Sequence, residues 1–556
     1  MDKKLTYSVV VACVAGLFFL PFLGGVRLFD WDEINFAEIA REMIALDDYL
    51  RVHIDFQPFW EKPPFFFWLQ AGSMHLWGMG EYAARFPNAV CGILTLVLLF
   101  RVGYKLYDAR FGLLWAGAYF GSVLPHLYFR SGIIDPWFNL FMFLGLLGVI
   151  LFQWKKDNAA SLALFKSRWF YLVGGGVALG LAVLTKGPAA LLIVGLTLFV
   201  YWVLQLFRFY ISVWHFLLYL LAAALFPLLW FGLETAKNGP WFVQTFLTYN
   251  YRLFSTPDAG HGGFPGYHFV VLLVGCFPAS VFAIRGMAAT PQPFNYQRDF
   301  KRWMLVLFWV VLVLFTIVKS KIVHYSSMCY FPLTYLAALT VYQMWEGKIR
   351  FNAWLRFGLL AVGLIYCTAF VAAPFVGRRI DLIRPLVAKD PFALANLDAD
   401  VNWTGWEALA GGLLLVALTL GVRLLNRRRP DDTLRGATVL FGGTGVFVFF
   451  TLIFFIARIE GISQAAAMQF YESLQGKDVY VTTYGFRSYG HYFYTRQPNH
   501  TNPKRHDQNW LLRGPVDKDV YVAAKVTHEA ELDTVRTLKK INEKNGFVFY
   551  KRIRIN

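Results

Sequence analysis

Roughly thirteen apolar runs of about 17 to 25 residues, the length an α-helix needs to cross the hydrocarbon of a bilayer, punctuate this chain. They fall at about 5–24, 86–104, 111–129, 137–153, 169–185, 188–206, 212–233, 267–284, 303–318, 326–344, 356–374, 407–425 and 436–457. The pattern predicts an all-α polytopic membrane domain over residues 1–457, with about 13 transmembrane helices. Met1-Asp-Lys-Lys ahead of Leu5 to Leu23 has the look of a secretion signal, but no Ala-x-Ala-like site follows, so the run reads as the first span.

The basic residues test that count. With Lys3 and Lys4 in the cytoplasm, alternation puts Lys105/Arg110, Lys155/Lys156/Lys166/Arg168, Arg208, Arg285/Arg298/Lys301/Arg302, Lys348/Arg350 and Arg423/Arg427/Arg428/Arg429 on that same side, as the positive-inside rule requires. One miscounted span would throw the later clusters to the wrong face. The opposite, extracytoplasmic side then receives 25–85, 130–136, 234–266, 319–325, 375–406 and everything after about 458.

Two of these outer segments carry pattern of their own. In the first loop, 25–85, Glu33 to Leu46 is an amphipathic helix with Ile34, Ala37, Ala40 and Ile44 on one face, expected to lie along the membrane surface. A second helix starts at Pro63-Pro64, where proline suits a first turn, and its Phe65-Phe66-Phe67-Trp68-Leu69 run is apolar enough to dip into the interface. The loop 234–266 is glycine-rich near its end and reads as mobile. From 458 to 556 the chain turns polar, with alternating runs at 479–484 and 520–524, a helical stretch near 527–541 and a last strand at 547–550. This predicts a small C-terminal soluble α/β domain in which nothing looks catalytic. There is no internal repeat, heptad pattern or low-complexity linker.

Composition agrees with the span pattern. With 57% hydrophobic and only 16% charged residues the chain is too apolar for a soluble protein of 556 residues, so the lipid bilayer is its first partner. The net charge of +18 is met by the cytoplasmic clusters and the tail, and no nucleic-acid-binding motif accompanies it, so no nucleic acid partner is expected. The five cysteines show no CxxC pair or metal-ligand spacing and read as small buried apolar residues.

Candidate chemistry collects at the outer rim. Asp30-Trp31-Asp32-Glu33 follows the first span, and Glu61-Lys62-Pro63-Pro64 lies some thirty residues on. A purely structural reading makes Asp32 the N-cap of the helix, worth about 1 kcal/mol, and Glu61 with Lys62 a solvated pair. The functional reading makes one carboxylate a general base for an incoming hydroxyl at the rim of a cavity. Asp135, Lys186, Lys319, Lys321, His324 and Tyr325 stand at the outer ends of spans. A lysine there can snorkel to water, but cations should be scarce outside, and their recurrence beside apolar walls points to an anionic ligand at the outer leaflet. Arg252 offers a planar fork suited to phosphate. The sequence requires no cofactor; a divalent cation would need Glu61 and His261 to meet in the fold.

Together these groups suit a sugar joined to a polyprenyl phosphate. Its phosphate leaves without protonation, unlike the leaving group of a glycosidase, so the demands are a base for the acceptor and cations for the developing charge. In this reading Asp32 is the base and Glu61 positions substrate or cation. Lys62, Arg252, Lys319 and Lys321 hold the phosphate, with Glu33, Asp135 and Tyr325 completing the donor site, and direct displacement inverts the anomeric centre. A transporter or flippase of a lipid-linked or anionic substrate is the alternative. It should place ionisable groups at span centres or in paired broken helices of an internal repeat. A non-enzymatic scaffold would leave Asp32 and Glu61 replaceable by Asn and Gln.

The ordered series Asp32-Glu33, Phe36-Ala-Glu-Ile-Ala-Arg-Glu-Met43, Phe59-Trp-Glu-Lys-Pro63, Asp135-Pro136, Leu184-Thr-Lys-Gly187, Arg252-Leu-Phe254 with His261 downstream, and Lys319-Ser-Lys321 with Tyr325 resembles the C-type-fold (GT-C) membrane glycosyltransferases. Within them it is similar to the bacterial aminoarabinose transferases acting on lipid A and to the protein O-mannosyltransferases, over roughly residues 1–345. The resemblance implies a catalytic Asp in the first external loop, matched by Asp32, and donor or phosphate contacts at Glu61, Lys62, Arg252 and Tyr325. It further implies an undecaprenyl-phosphate sugar donor, an outward-facing cavity and a location in the bacterial inner membrane. The acceptor it implies is lipid A, another envelope glycolipid or a protein Ser/Thr. Asn35 stands where the aminoarabinose enzymes have an Arg, and the tail has no counterpart in the motif series.

Overall fold

A computed structural model describes residues 3–156, 167–256, 262–288, 290 and 292–552. Each of the thirteen apolar runs is helical over most of its length. Eight described helices are long and apolar enough to cross a membrane by length and composition, from Glu81–Leu106 to Pro430–Ser463. A ninth results if Tyr267–Gly275 and Ala279–Met287, bent by 117° to each other, form one broken span. The other runs make shorter helices, among them Lys3–Phe19, Ala109–Phe120, Ala189–Leu204 and Tyr330–Trp345. The break at Gly187-Pro188, where Gly187 takes φ +101°, separates Arg168–Lys186 from Ala189–Leu204, where the apolar runs at 169–185 and 188–206 also part.

Within the bundle the Asp135–Trp154 helix is central, with 83% of its most apolar window buried, against 22% for Val213–Asn238 and Ala353–Gly377 at the periphery. Lipid is as apolar as Leu, so close backbone approach rather than apolar burial holds such helices together. A Cβ at Gly148 would come within 2.5 Å of the Tyr171 carbonyl oxygen, and one at Gly180 within 2.4 Å of that of Ala223. These glycines seat Arg168–Lys186 between Asp135–Lys156 and Val213–Asn238.

The first loop differs from the surface helix expected of it. Asp32–Leu46 is buried without interruption from Glu33 to Met43, polar face included. It is enclosed by Phe65–Trp77 on one side and by the Gly490–Thr495 helix of the C-terminal region on another. Its charges are therefore satisfied by protein: Arg41 pairs with Glu38 at 2.6 Å and donates to the Gln497 carbonyl at 3.2 Å, and Glu42 accepts the Phe56 N–H at 2.8 Å. An amphipathic face is equally consistent with a membrane surface and with a polar protein partner, and here the partner occupies it. Phe65–Trp77 likewise buries Phe66, Phe67, Gln70 and Ala71 in protein.

The C-terminal region folds as a four-stranded sheet in the order Tyr480–Tyr484, Val520–Lys525, Phe547–Arg552, Lys539–Lys544. The first pair is parallel and the other two antiparallel. The helix expected near 527–541 is a correction: only Val526–His528 and Glu529–Leu532 are helical, and Lys539–Lys544 is an exposed edge strand. Asn545-Gly546, with φ of 49° and 78°, closes a tight hairpin onto Phe547–Arg552, a turn that outweighs the helix-forming lysines and glutamate of the preceding strand. The sheet domain docks on the first loop through Arg27 to Glu472 at 2.8 Å, the Leu28 N–H to Tyr494 Oη at 2.8 Å, and Arg505 and His506 to Asp55, each at 2.8 Å.

Candidate active site

The docked loop, the bundle and the sheet domain enclose a cavity of about 840 Å³, within the size range of small-molecule sites. Its lining combines apolar side chains, among them Met142, Leu192, Ile193, Leu314, Phe315 and Met328, with the charged or titratable Asp32, Glu61, Lys62, Asp135, Lys186 and His324.

Asp32 opens the Asp32–Leu46 helix, and the cap position belongs to Trp31, whose carbonyl accepts the Asn35 N–H at 3.1 Å without any side-chain cap. The carboxylate is thus not consumed in capping, as the structural reading of the sequence had it, and lines the cavity. Among the described residues it has no ion-pair partner. Its neighbour Glu33 is fully employed. Arg85 donates to both its oxygens at 3.0 and 2.8 Å, and the amides of Phe29 and Gly132 add bonds of 3.0 and 2.5 Å. Burial pushes the Glu33 carboxyl up, but Arg85 and the two amides outweigh it and hold it below the usual range. The two adjacent acids therefore differ in kind: Glu33 fixes the start of the helix, and that places Asp32.

Glu61 accepts a hydrogen bond from Tyr249 Oη at 3.1 Å. The same ring lies under Lys62 Nζ at 5.3 Å and under the Arg252 guanidinium at 5.4 Å, so a single tyrosine orders three charged residues of two distant segments. Arg252 itself is exposed and outside the cavity wall. Asp135 starts its helix and Lys186 ends the neighbouring one; they pair at 2.7 Å, with Asp135 Oδ2 buried and without a hydrogen-bond partner. Lys186 also stands over the rings of Phe138 and Tyr325 at 5.7 and 5.6 Å. Burial holds the His324 imidazole below its ordinary value, with Lys186 and Lys62 acting in the same direction and Asp135 and Asp32 opposing.

Two more of the expected phosphate ligands are also off the cavity wall. Lys321 folds back on the helix that precedes it and donates to the carbonyls of Phe315, Thr316 and Val318 at 2.9, 2.8 and 2.6 Å, closing the C-terminus of Asn295–Ile317. Lys319 is exposed, and neither lysine is on the cavity wall. His261 lies outside the described residues. Among those described, no group of three or more His, Cys, Asp or Glu side chains could hold a metal ion, and the Glu61 carboxylate is engaged by Tyr249.

Sequence reasoning missed Arg487. It sits in the loop that follows the carboxyl end of the Tyr480–Tyr484 strand and lines the same cavity as Asp32. The available signal was that position: ligands of open α/β sheets bind outside the carboxyl ends of strands.

Comparison with known proteins agrees with this architecture. Residues 61–231 match the family model described as dolichyl-phosphate-mannose-protein mannosyltransferase. An undecaprenyl phosphate-α-4-amino-4-deoxy-L-arabinose arabinosyl transferase of Pectobacterium carotovorum is 28% identical over 418 residues, covering 73% of this chain and 71% of its own. The protein of that name from Pseudomonas aeruginosa is 26% identical over 400 residues, 71% of this chain and 69% of its own. In structure, ArnT from Cupriavidus metallidurans bound to undecaprenyl phosphate superposes with a TM-score of 0.76 at 19% identity, over 98% of both chains. The Archaeoglobus fulgidus oligosaccharyltransferase gives 0.51 at 13% identity, over 95% of this chain and 70% of that one. The fold, the ordered motifs and these likenesses agree: the chain is similar to the aminoarabinose transferases and the protein mannosyltransferases of the C-type fold, and it is a glycosyltransferase that uses a lipid-linked sugar.

Proposed function

We propose that this chain transfers a sugar from undecaprenyl phosphate, or a closely similar polyprenyl phosphate, to an acceptor on the extracytoplasmic side of the bacterial inner membrane. The observation that carries the reading is the single cavity with two characters. Its apolar lining suits an isoprenoid chain, and the same cavity holds the Asp32 and Glu61 carboxylates together with the Lys62 and Lys186 ammonium groups.

In the proposed reaction an acceptor oxygen attacks the anomeric carbon and gives its proton to the Asp32 carboxylate. The bond from that carbon to the phosphate oxygen breaks, and its electron pair leaves with the polyprenyl phosphate. Configuration inverts because attack and departure are on opposite faces. Glu61, held by Tyr249, positions the sugar; Lys62 and Lys186 meet the growing negative charge inside the cavity, where such contacts count for more than in open solvent. Arg252 reaches this group through the Tyr249 ring. The sugar is 4-amino-4-deoxy-L-arabinose, supported by the names of the relatives; the acceptor is an envelope glycolipid such as lipid A, as the motif series implies, or a protein Ser/Thr, in line with the protein acceptor in the description of the matched family. Residues 1–457 form the transferase unit with thirteen spans and a cytoplasmic N-terminus, and 458–556 the extracytoplasmic domain.

The test is transfer of radiolabelled aminoarabinose from undecaprenyl phosphate to lipid A and to envelope protein by purified protein, wild type against Asp32→Asn. Wild-type transfer with a loss of about 10²–10⁴-fold in a folded mutant is the outcome expected of a missing general base. Equal rates in both would remove Asp32 from the chemistry, and no transfer from any polyprenyl-phosphate sugar would overturn the reading.

A further inference from the structure

The sheet domain does more than cover the cavity. The loop that follows its first strand is fastened to the residues flanking Asp32: the Asp30 carboxylate accepts the Tyr489 N–H at 3.2 Å, and the rings of Trp31 and Tyr489 meet edge to face at 4.7 Å. Gln464, at the turn between the Ile456–Ser463 and Ala465–Ser473 helices, donates to the Leu28 carbonyl at 2.8 Å. The loop is itself shaped by the Gly490 N–H on Ser488 Oγ at 3.0 Å and by a left-handed Gly485 at φ +73°. Arg487 is carried between these anchors. It lines the cavity, is exposed, and forms no salt bridge with any described residue. Lys186, by contrast, is already paired with Asp135, and Lys62 is stationed over Tyr249 beside Glu61.

An inverting displacement divides such a cavity into two sides. The base and the attacking group share one, and the departing phosphate takes the other. A cation two residues from Tyr489, which is held by Asp30 and Trp31 immediately before the base, belongs to the attacking side. We propose that Arg487 is the acceptor-selecting residue: its guanidinium pairs with an anionic group, phosphate or carboxylate, next to the nucleophile of the acceptor, so that the C-terminal domain sets acceptor choice. The inference rests on the transfer reading above. A planar fork suits either oxyanion, and a partner of this kind is worth more in a cavity than on an open surface.

The experiment uses the full chain with radiolabelled undecaprenyl-phosphate aminoarabinose as donor and lipid A as acceptor, intact or stripped of its phosphates. Arg487→Gln is expected to raise KM for intact lipid A by roughly 10- to 100-fold, the size of a lost charge-assisted bond, with the KM for donor unmoved. Arg487→Lys should restore part of the loss, and the mutant and wild type should treat dephosphorylated lipid A alike. Binding of intact lipid A is measured in parallel, without turnover, in an Asp32→Asn background. No turnover by wild type condemns the transfer reading. Equal lipid A affinity with and without Arg487, or no lipid A binding at all, overturns the assignment of Arg487. A rise in donor KM matching that for acceptor overturns it as well, by making Arg487 a donor ligand.

Discussion

Replacing Glu33 with Gln tests the division of labour between the two adjacent acids. Glu33 is 6% exposed and its oxygens accept four N–H donors, two from Arg85 and two from backbone. Arg85 is equally enclosed and also donates to the carbonyls of Leu23, Val26 and Arg27 at 2.8, 2.7 and 3.0 Å, so it stitches the end of the first span to the start of the helix. Gln keeps the shape but removes the charge, and its amide nitrogen, on whichever side it lies, must face two of the four donors with another donor. Breaking a buried pair from one side costs about 3–5 kcal/mol, because the remaining charge is left uncompensated. Glu33→Gln is therefore expected to lower the unfolding midpoint of the purified protein steeply, and Arg85→Met to do much the same. The double mutant should lose less than the sum, because neither charge is then stranded. Activity per folded molecule should fall through misplacement of Asp32. The reasoning fails if Glu33→Gln keeps wild-type stability while losing transfer as completely as Asp32→Asn, since that would put Glu33 in the chemistry.

Two further outcomes follow from the site. The Asp30 carboxyl is pushed up to about 6 by burial, partly offset by its bonds from Ser488 and Tyr489. A raised carboxyl binds its proton more tightly folded than unfolded, so its contribution to stability is present below about pH 4 and is lost as pH rises through about 6. Hydrogen exchange of the 485–490 loop should quicken over that window, and Asp30→Asn should flatten the dependence; an unchanged profile would show that the docking does not depend on Asp30. Lys62→Ala should raise the donor KM by about tenfold or more, as expected of a lost contact to a charged group, whereas Lys319→Ala should leave it within about twofold. The reverse order would return Lys319 to the phosphate site.

Hydropathy and charge patterning reveal much of this molecule because lipid imposes one-dimensional rules. A backbone in hydrocarbon must be helical, spans need a minimum length, and cations collect on one side. The outer acids Asp32 and Glu61 and the cations Lys62 and Lys186 are visible on the same grounds, as charges set beside apolar runs. What patterning cannot tell is how each charge is used. Glu33 and Asp32 are neighbours of the same chemistry and both line the cavity, yet the carboxylate of one is taken up by Arg85 and two amides and that of the other has no ion-pair partner among the described residues, because successive helix positions point about 100° apart. Lys321 reads as a phosphate ligand until its helix ends where its ammonium can reach three carbonyls. The amphipathic helix shows a polar face but not what covers it.

The sequence by itself therefore determined the class of the protein and singled out Asp32 and Glu61, charges set beside apolar runs, as the candidates for its chemistry, since burial in lipid and the cost of charge act residue by residue along a chain. Only the tertiary structure decided which cations join them. Arg487 lies more than four hundred residues from Asp32 and reaches the cavity because a sheet domain docks on the first loop, a long-range contact that leaves no period, spacing or local composition to read.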